Sequence, residues 1–246
     1  MHRAYCPIES FPLNTTVNLT DTEEIHHIKN VLCLKPGEQV QLFNGKGEEA
    51  VGILSTITEK SISILMQNVL PETPKSIRVV LACAIPKKVK FDSIVEKATE
   101  LGVDEIIPLL TGRTEIRLDE KRSAGKHTRY ETIALNAAKQ CKRSSIPAIH
   151  PPTPFSKAIQ KIDPHTLGLI PCLEAPNRIS LNDAFARSHN TATVMVFIGP
   201  EGDFTDEEIQ HALNAGCLPV TLGSTILKVD TAALCVLSAA RVFFQL

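Results

Sequence analysis

The sequence predicts an α/β protein with a parallel sheet, preceded by a small all-β unit, and three observations carry that prediction. Beyond residue 76, apolar strand-like runs alternate with helical patterns, which argues for a parallel sheet. Before residue 70 the apolar runs are short, alternate with polar residues and are separated by turn signals. Between the two lies NVLPETPKS, a polar stretch with two prolines that reads as a linker. Domains are therefore expected at 1–70 and 75–246, and 246 residues with 43% hydrophobic content suffice to bury both cores.

In the first part, EQVQLF, EEAVGILSTI and SISILM read as strands. Asn44-Gly45 between the first two is a hairpin signal, because the tight turn needs positive φ angles. A barrel-like β unit is the economical reading. In the second part, IRVVLACAI is a buried strand, FDSIVEKATELG an amphipathic helix closed by Gly102, and VDEIIPLL the next strand. The helix ETIALNAAKQC follows a basic connection, then come the Pro-rich IPAIHPPTP, the strand LGLIPCL, a helix around Leu181–Arg187 and the strand that opens TVMVFIGPEG.

Charge and cysteine usage narrow the function classes. The net charge of −1 conceals a basic middle: residues 75–143 carry 15 basic and 9 acidic side chains, between acidic flanks. That segregation suits a local polyanion contact, and equally a solvated face. Seven cysteines with no CxxC spacing suggest neither a disulfide framework nor a zinc site, and no metal is expected. Cys217 and Cys235 lie in apolar contexts and read as buried, inert thiols. The longest apolar window, Thr231 to Ala240, is far short of the roughly 18 residues of a membrane span. With no apolar signal core in MHRAYCPIES, the expected location is the cytoplasm. His26-His27 looks like a metal pair, but adjacent helical residues point about 100° apart, so a helix-entry role is favoured.

The stretch FIGPEGDFTDEE carries the strongest local signal. A strand ends at Ile198, Gly199 and Gly202 flank Pro200 and Glu201, and Thr205 with Glu208 forms a capping box for a new helix. Such a turn sits where open α/β sheets bind ligands, with glycines allowing close backbone approach and N–H groups available as donors. A tight turn without a ligand has the same form. A second Gly-bearing loop follows the strand Pro219–Leu222 and leads into a capped helix beginning near Asp230 or Thr231. The two loops, one helix apart, are expected side by side. Neither has the spacing of a nucleotide phosphate site, which fits a cofactor without phosphates.

HHIKNVLCLKPGEQVQLFNGKG, KATELGVDEIIPLL, ALNAAKQCKRSSIP, IGPEGDFTDEEI and LGSTILKVDTA, in this order, make the chain resemble the RsmE methyltransferases of the SPOUT superfamily over nearly its whole length. That family methylates N3 of a uridine in 16S ribosomal RNA. The resemblance implies a PUA-like β-barrel for RNA, then a knotted (SPOUT-type) α/β parallel-sheet methyltransferase domain. It implies S-adenosylmethionine bound mostly by backbone in three loops, and a homodimer with active sites near the subunit interface. Carried over, the loops are Leu173, Glu174 and Ala175, then Gly199, Pro200, Glu201 and Gly202, then Leu222–Lys228 with Leu222, Gly223, Ile226, Leu227 and Lys228. The chain departs from the family's usual pattern at Cys33 and Lys228, where arginine is usual, at Asp203, where glycine is usual, and at Val229-Asp230, where Thr-Glu is usual.

Transfer of a methyl from a sulfonium to N3 needs no metal. It needs positioning, removal of the imide proton and stabilisation of the charge that spreads onto the two carbonyl oxygens. Lys228 is the candidate for the last role, and Glu201 or Asp230 for receiving the proton or orienting the loop; Asp230 as a mere N-cap and Glu201 as a mere turn brace are the bland alternatives. Methylation at carbon would instead call for a cysteine nucleophile. Residues 113–143 hold 9 basic and 4 acidic side chains, with Arg113, Arg117, Arg122, Arg129, Lys142 and Arg143 the candidate phosphate contacts. Two tyrosines and no tryptophan argue against extensive base stacking, so contact through backbone charge and the shape of a folded RNA is expected; the resemblance implies that this is 16S RNA, and the assembled small subunit would present that shape. The competing readings are a ribose 2′-O-methyltransferase of the same superfamily and an RNA-binding protein without catalysis.

Overall fold

The computed structural model describes all residues except 71–74, 87–90, 115–119 and 190, and leaves the side chains of residues 120–122 undescribed. The chain falls into two compact units, Met1–Pro74 with Ala138–Ile146, and Lys75–Ala137 with Pro147–Leu246.

The first unit contains β1 (His2–Tyr5), β2 (Thr16–Leu19), α1 (Thr22–His26), β3 (Gln39–Phe43), β4 (Glu49–Ile57) and β5 (Ile62–Leu70). They form one sheet in the order β1-β3-β4-β5-β2, with β1 parallel to β3 and the other pairs antiparallel. This is a half-barrel, with β1 and β2 at its two ends. Alternation puts Ala50 and Leu54 of β4, and Ile62, Ile64 and Met66 of β5, into a core with Val40, Leu42, Ile25 and Ile28. Gly52 sits at a register shift, where a Cβ would lie 2.5 Å from Ile64 Cγ2 and 2.9 Å from the Leu65 carbonyl.

Three local expectations are corrected here. The hairpin expected at NGKG forms between β3 and β4, but positive φ occurs at Gly45 and Gly47, not at Asn44. Asn44 is buried because its side chain builds the loop, its Oδ1 accepting from Lys46 N (2.8 Å) and Glu48 N (3.1 Å). The linker expected from Asn68 begins later, since β5 runs on to Leu70 in register with β4; Pro71–Pro74 lie outside the described residues. The histidine pair stands where α1 passes into a π-helical turn, His27–Val31, rather than at the helix entry, with Asp21 as the N-cap and His26 Nδ1 2.9 Å from Asn30 Nδ2.

The second unit runs β6 (Arg78–Ala84), α2 (Phe91–Glu100), β7 (Glu105–Leu110), α3 (Glu120–Cys141), β8 (Ala148–Ile149), β9 (Thr153–Pro154), α4 (Phe155–Ala158), β10 (Thr166–Pro171), β11 (Ile179–Ser180), α5 (Leu181–Phe185), β12 (Thr193–Ile198), α6 (Asp206–Asn214), β13 (Leu218–Thr221) and α7 (Val229–Phe244). α3 reaches its last turns beyond Ala137, in the first unit. It begins at Glu120, so part of the basic connection expected before Glu131 is helix; its Lys, Arg and Ala favour helix but supply no apolar stripe to reveal it.

All strand pairs of this sheet are parallel, in the order β11-β13-β10-β12-β6-β7-β8, with β9 also on β7. β6, β10 and β12 are near-continuously buried, as expected of strands covered on both faces. Val80, Ala82, Met195 and Phe197 pack with Phe155 of α4 and Ile209 and Ala212 of α6. By alternation Val79, Leu81, Cys83, Val194 and Val196 face the other side, where α7 packs on β6, β12, α2 and α5. α6 and α7 thus leave β12 and β13 for opposite faces, and the strand ends between them stay open.

Candidate functional site

The open strand ends form a cleft with about 650 Å³ of empty space, part of it open to solvent. Its walls come from the segments after β10 (Pro171–Leu173, with Arg178), after β12 (Ile198–Glu201 and Asp203) and from β13 to α7 (Val220–Gly223, Thr225–Leu227, Val229 and Ala232). The loops after β12 and β13 are not side by side as expected: β10 lies between their strands, because β13 pairs on the far side of β10. That insertion puts the loop after β10 between the two glycine-bearing loops.

Of the residues carried over as cofactor contacts, Leu173, Gly199, Pro200, Glu201, Leu222, Gly223, Ile226 and Leu227 line the cleft. Leu173 and Ile226 are large apolar side chains left 46% and 77% exposed at its mouth. Glu174, Ala175, Gly202 and Lys228 are not part of the lining. Ala175 packs instead against the core beneath α4 and α6. Lining residues that sequence reasoning did not name for the cofactor include Arg178, Asp203 and Thr225; the last two stand inside IGPEGDFTDEEI and LGSTILKVDTA, whereas only folding the β10–β11 segment back reveals Arg178.

The turn Gly199–Phe204 is braced from two sides. Asp203 has φ +61°, the left-handed region where glycine is cheapest and Asp is among the better alternatives. Its Oδ1 accepts from Phe204 N at 2.8 Å and its Oδ2 from Leu173 N at 2.7 Å, so its carboxylate ties the loop after β10 to the loop after β12. On the other flank Arg113 Nη1 donates to the Gly202 carbonyl and, at 3.2 Å, to that of Phe204. Glu208 completes the capping box expected with Thr205 and also accepts from Gly112 N at 2.8 Å. A side chain at Gly199 would crowd the turn: a Cβ would meet the Phe204 ring at 3.1 Å and Asp203 Oδ1 at 3.2 Å, so these side chains would have to shift.

The N-cap of α7 is Lys228, not Asp230 or Thr231, and no side chain caps the helix. The N–H groups of its first turn are therefore the donors that a helix start leaves outside its own hydrogen bonding. Asp230 lies inside that turn, and its Oδ1 is buried with no hydrogen-bond partner. Glu201 is exposed on the rim. Burial first, then the Asp230 and Glu201 charges, push the Cys83 thiol far up. Burial and the Asp203 charge raise Cys172 to about 11 against the opposing pull of Arg178, and burial raises Cys217 to about 12. These thiols stay protonated near neutrality and cannot serve as nucleophiles there.

The basic candidates are placed variously. Arg113 is bound to the turn carbonyls, and Arg129 is exposed and ion-paired with Asp92, its Nε 3.0 Å from Oδ2. Lys142 is exposed with φ +63° just past α3. Arg143 donates to Ser145 Oγ at 3.1 Å, and its carbonyl accepts from Arg3. Arg117 lies outside the described residues, and Arg122 belongs to α3 with its side chain undescribed. Among the described residues no group of three or more His, Cys, Asp or Glu could hold a metal ion, and no helix is long and apolar enough to cross a membrane.

Comparison with known proteins places these features. Residues 73–241 match the family model of the RNA methyltransferase domain, and residues 19–66 that of the RNA methyltransferase PUA domain. The chain is 33% identical over 221 residues to the ribosomal RNA small subunit methyltransferase E of Synechocystis sp., covering 89% of this chain and 71% of that protein. It is 30% identical over 223 residues to the same-named protein of Bacillus subtilis, covering 88% and 86%. Among solved structures, a methyltransferase of Legionella pneumophila with bound SAM superposes with a TM-score of 0.83 at 30% identity, over 98% of this chain and 97% of that one. The ribosomal RNA small subunit methyltransferase E of Neisseria gonorrhoeae bound to S-adenosylmethionine gives 0.85 at 27%, over 99% and 98%. The α/β parallel-sheet domain with a PUA-like β unit before it is the class read from the sequence, and the chain belongs to the ribosomal RNA small subunit methyltransferase E family.

Proposed function

We propose that the protein is an S-adenosylmethionine-dependent methyltransferase that methylates N3 of a uridine in the 16S ribosomal RNA of the small subunit. The observation that carries this reading is the cleft of three loops at the strand ends, in a chain whose relatives are named for small-subunit RNA methylation and whose structural neighbours hold the cofactor. The cleft suits that group: apolar side chains and backbone from Leu173, Leu222, Ile226 and Leu227 for its nucleoside, and a few charged groups for its polar tail. Bound there, S-adenosylmethionine supplies an electrophilic methyl carried on a sulfonium.

The chain's own residues have three tasks. Lys228 and the first-turn N–H groups of α7 stabilise negative charge on the uracil oxygens; a lysine at a helix N-terminus opposes the helix dipole, and a bound anionic group offsets that cost. Asp230, with an acceptor oxygen unmatched inside the protein, takes the imide proton, and Glu201 on the rim offers negative charge to the cationic ligand. The braces through Asp203 and Arg113 hold the loops in place so that positioning costs little at the moment of reaction.

The protein acts in the cytoplasm as a homodimer on the assembled subunit; α7 presents Val242, 80% exposed, and Phe243 as apolar surface for a second copy. Lys142 and Arg129 on exposed surface serve RNA phosphates. Labelled S-adenosylmethionine incubated with small subunits lacking the modification, followed by mass-spectrometric mapping, tests the proposal. A single N3-methyluridine is expected; label on a ribose 2′-oxygen, or RNA binding with no transfer, refutes it.

A further inference from the structure

The proposed function leaves open what recognises the amino-acid tail of the cofactor, and the charges of the cleft answer it. Among the described residues lining it, three carry charge: Arg178, Glu201 and Asp203. The carboxylate of Asp203 is engaged by the N–H groups of Leu173 and Phe204. Glu201 stands just after β12, whose last residue Ile198 pairs with Cys83 of β6. Arg178 precedes the edge strand β11 in the chain, and its guanidinium reaches back to the end of β10. The lining is therefore acidic on its β12 side and, among the described residues, carries its one positive charge at the end of β10.

Arg178 is exposed at the edge of the cleft, and one hydrogen bond holds it there. Its Nη1 donates to the Cys172 carbonyl at 3.1 Å, which fixes the guanidinium at the root of the loop after β10. Its charge is felt at the Cys172 thiol beneath, in opposition to that of Asp203. A guanidinium has five donors in a rigid fork, so a bond to one carbonyl orients the plane and leaves the geometry suited to a two-oxygen acceptor. S-adenosylmethionine carries one such group, its α-carboxylate, together with an ammonium and a sulfonium that the acidic end attracts.

We infer that Arg178 binds the α-carboxylate of S-adenosylmethionine and is the residue by which the cleft selects a ligand with an intact amino-acid tail. The inference rests on the proposed function, since it takes S-adenosylmethionine as the occupant of this cleft. It assigns Arg178 a binding role rather than one in RNA contact or in shaping the loop.

Calorimetric titration of the full chain with S-adenosylmethionine and with its decarboxylated analogue, which lacks only the carboxylate, separates these roles. The wild type should prefer S-adenosylmethionine by about tenfold or more, the usual worth of a charge-assisted pair. Arg178→Ala should lose that factor for S-adenosylmethionine while binding the analogue within about twofold of wild type, and Arg178→Lys should fall between, a point charge replacing the fork. Equal loss for both ligands would overturn the inference in favour of a loop-shaping role. Unchanged binding of both would overturn it too, as would a loss of affinity for 16S RNA alone. A wild type that binds neither ligand would refute the proposed function itself, and the inference with it.

Discussion

Replacing Asp203 separates two contributions that coincide in one residue. The backbone there has φ +61°, and the carboxylate accepts from Phe204 N and Leu173 N at 2.8 and 2.7 Å. Hydrogen bonds to a charged acceptor are worth about 1.5–3 kcal/mol when buried. Asp203 is partly exposed, so about 1 kcal/mol for each is the appropriate figure. A left-handed residue other than Gly, Asn or Asp costs roughly 1–2 kcal/mol. Asp203→Ala loses both bonds and adds the left-handed penalty that Asp largely escapes, for a destabilisation of about 3 kcal/mol. Asp203→Gly loses the same bonds without that penalty, for about 2 kcal/mol, and both should be read from urea unfolding. The Leu173 loop is untied equally in the two variants, so both should bind S-adenosylmethionine about threefold to tenfold more weakly by titration. Equal stability of the two variants would refute the backbone argument, and wild-type affinity in either would refute the brace.

Three further outcomes follow from the same geometry. Arg113→Ala releases the Gly202 and Phe204 carbonyls and should weaken cofactor binding severalfold with little change in RNA affinity measured by filter binding, whereas Arg129→Ala, whose partner is Asp92, should leave cofactor binding unchanged. Lys228→Ala should lower turnover about tenfold to a hundredfold with cofactor affinity held within twofold; parallel loss of both would exclude a role confined to the transition state. Cys217 has a folded pKa of about 12, raised by burial from an ordinary value of 9.0, so its contribution is whole below about pH 9 and is lost as the pH rises through the folded value. Wild type should therefore lose about 1.4 kcal/mol per pH unit more than Cys217→Ala between pH 9 and 11, measured by urea unfolding.

What could be read from the sequence was local. The capping box at Thr205 and Glu208, the stop at Gly102 and the buried strand Arg78–Ala84 are each written in a few consecutive residues, and each formed where expected. Order within the sheet is not written that way: the pairing of β13 beyond β10 depends on which helix crosses which face, so the neighbours of the β12 turn could not be read from spacing. The same applies to Lys228 as N-cap. Asp230 has the better capping side chain, but its position within the first turn is fixed by the packing of Val229 and Ala233 in the core. Asp203 looked like a departure from a glycine pattern, and its backbone keeps the conformation that glycine favours while its carboxylate adds a brace no glycine could supply.

The position of β10 between β12 and β13 also orders events during synthesis. β6 pairs with β12 across more than a hundred residues, Arg78 opposite Thr193, and the cleft's last wall is made by residues 220–232. A chain emerging from the ribosome can complete its first β sheet early, but the central sheet must wait for β12 and the cleft for α7. Ligand therefore cannot stabilise any intermediate that lacks the start of α7, and nascent chains must hold β6 and β7 against aggregation without its help.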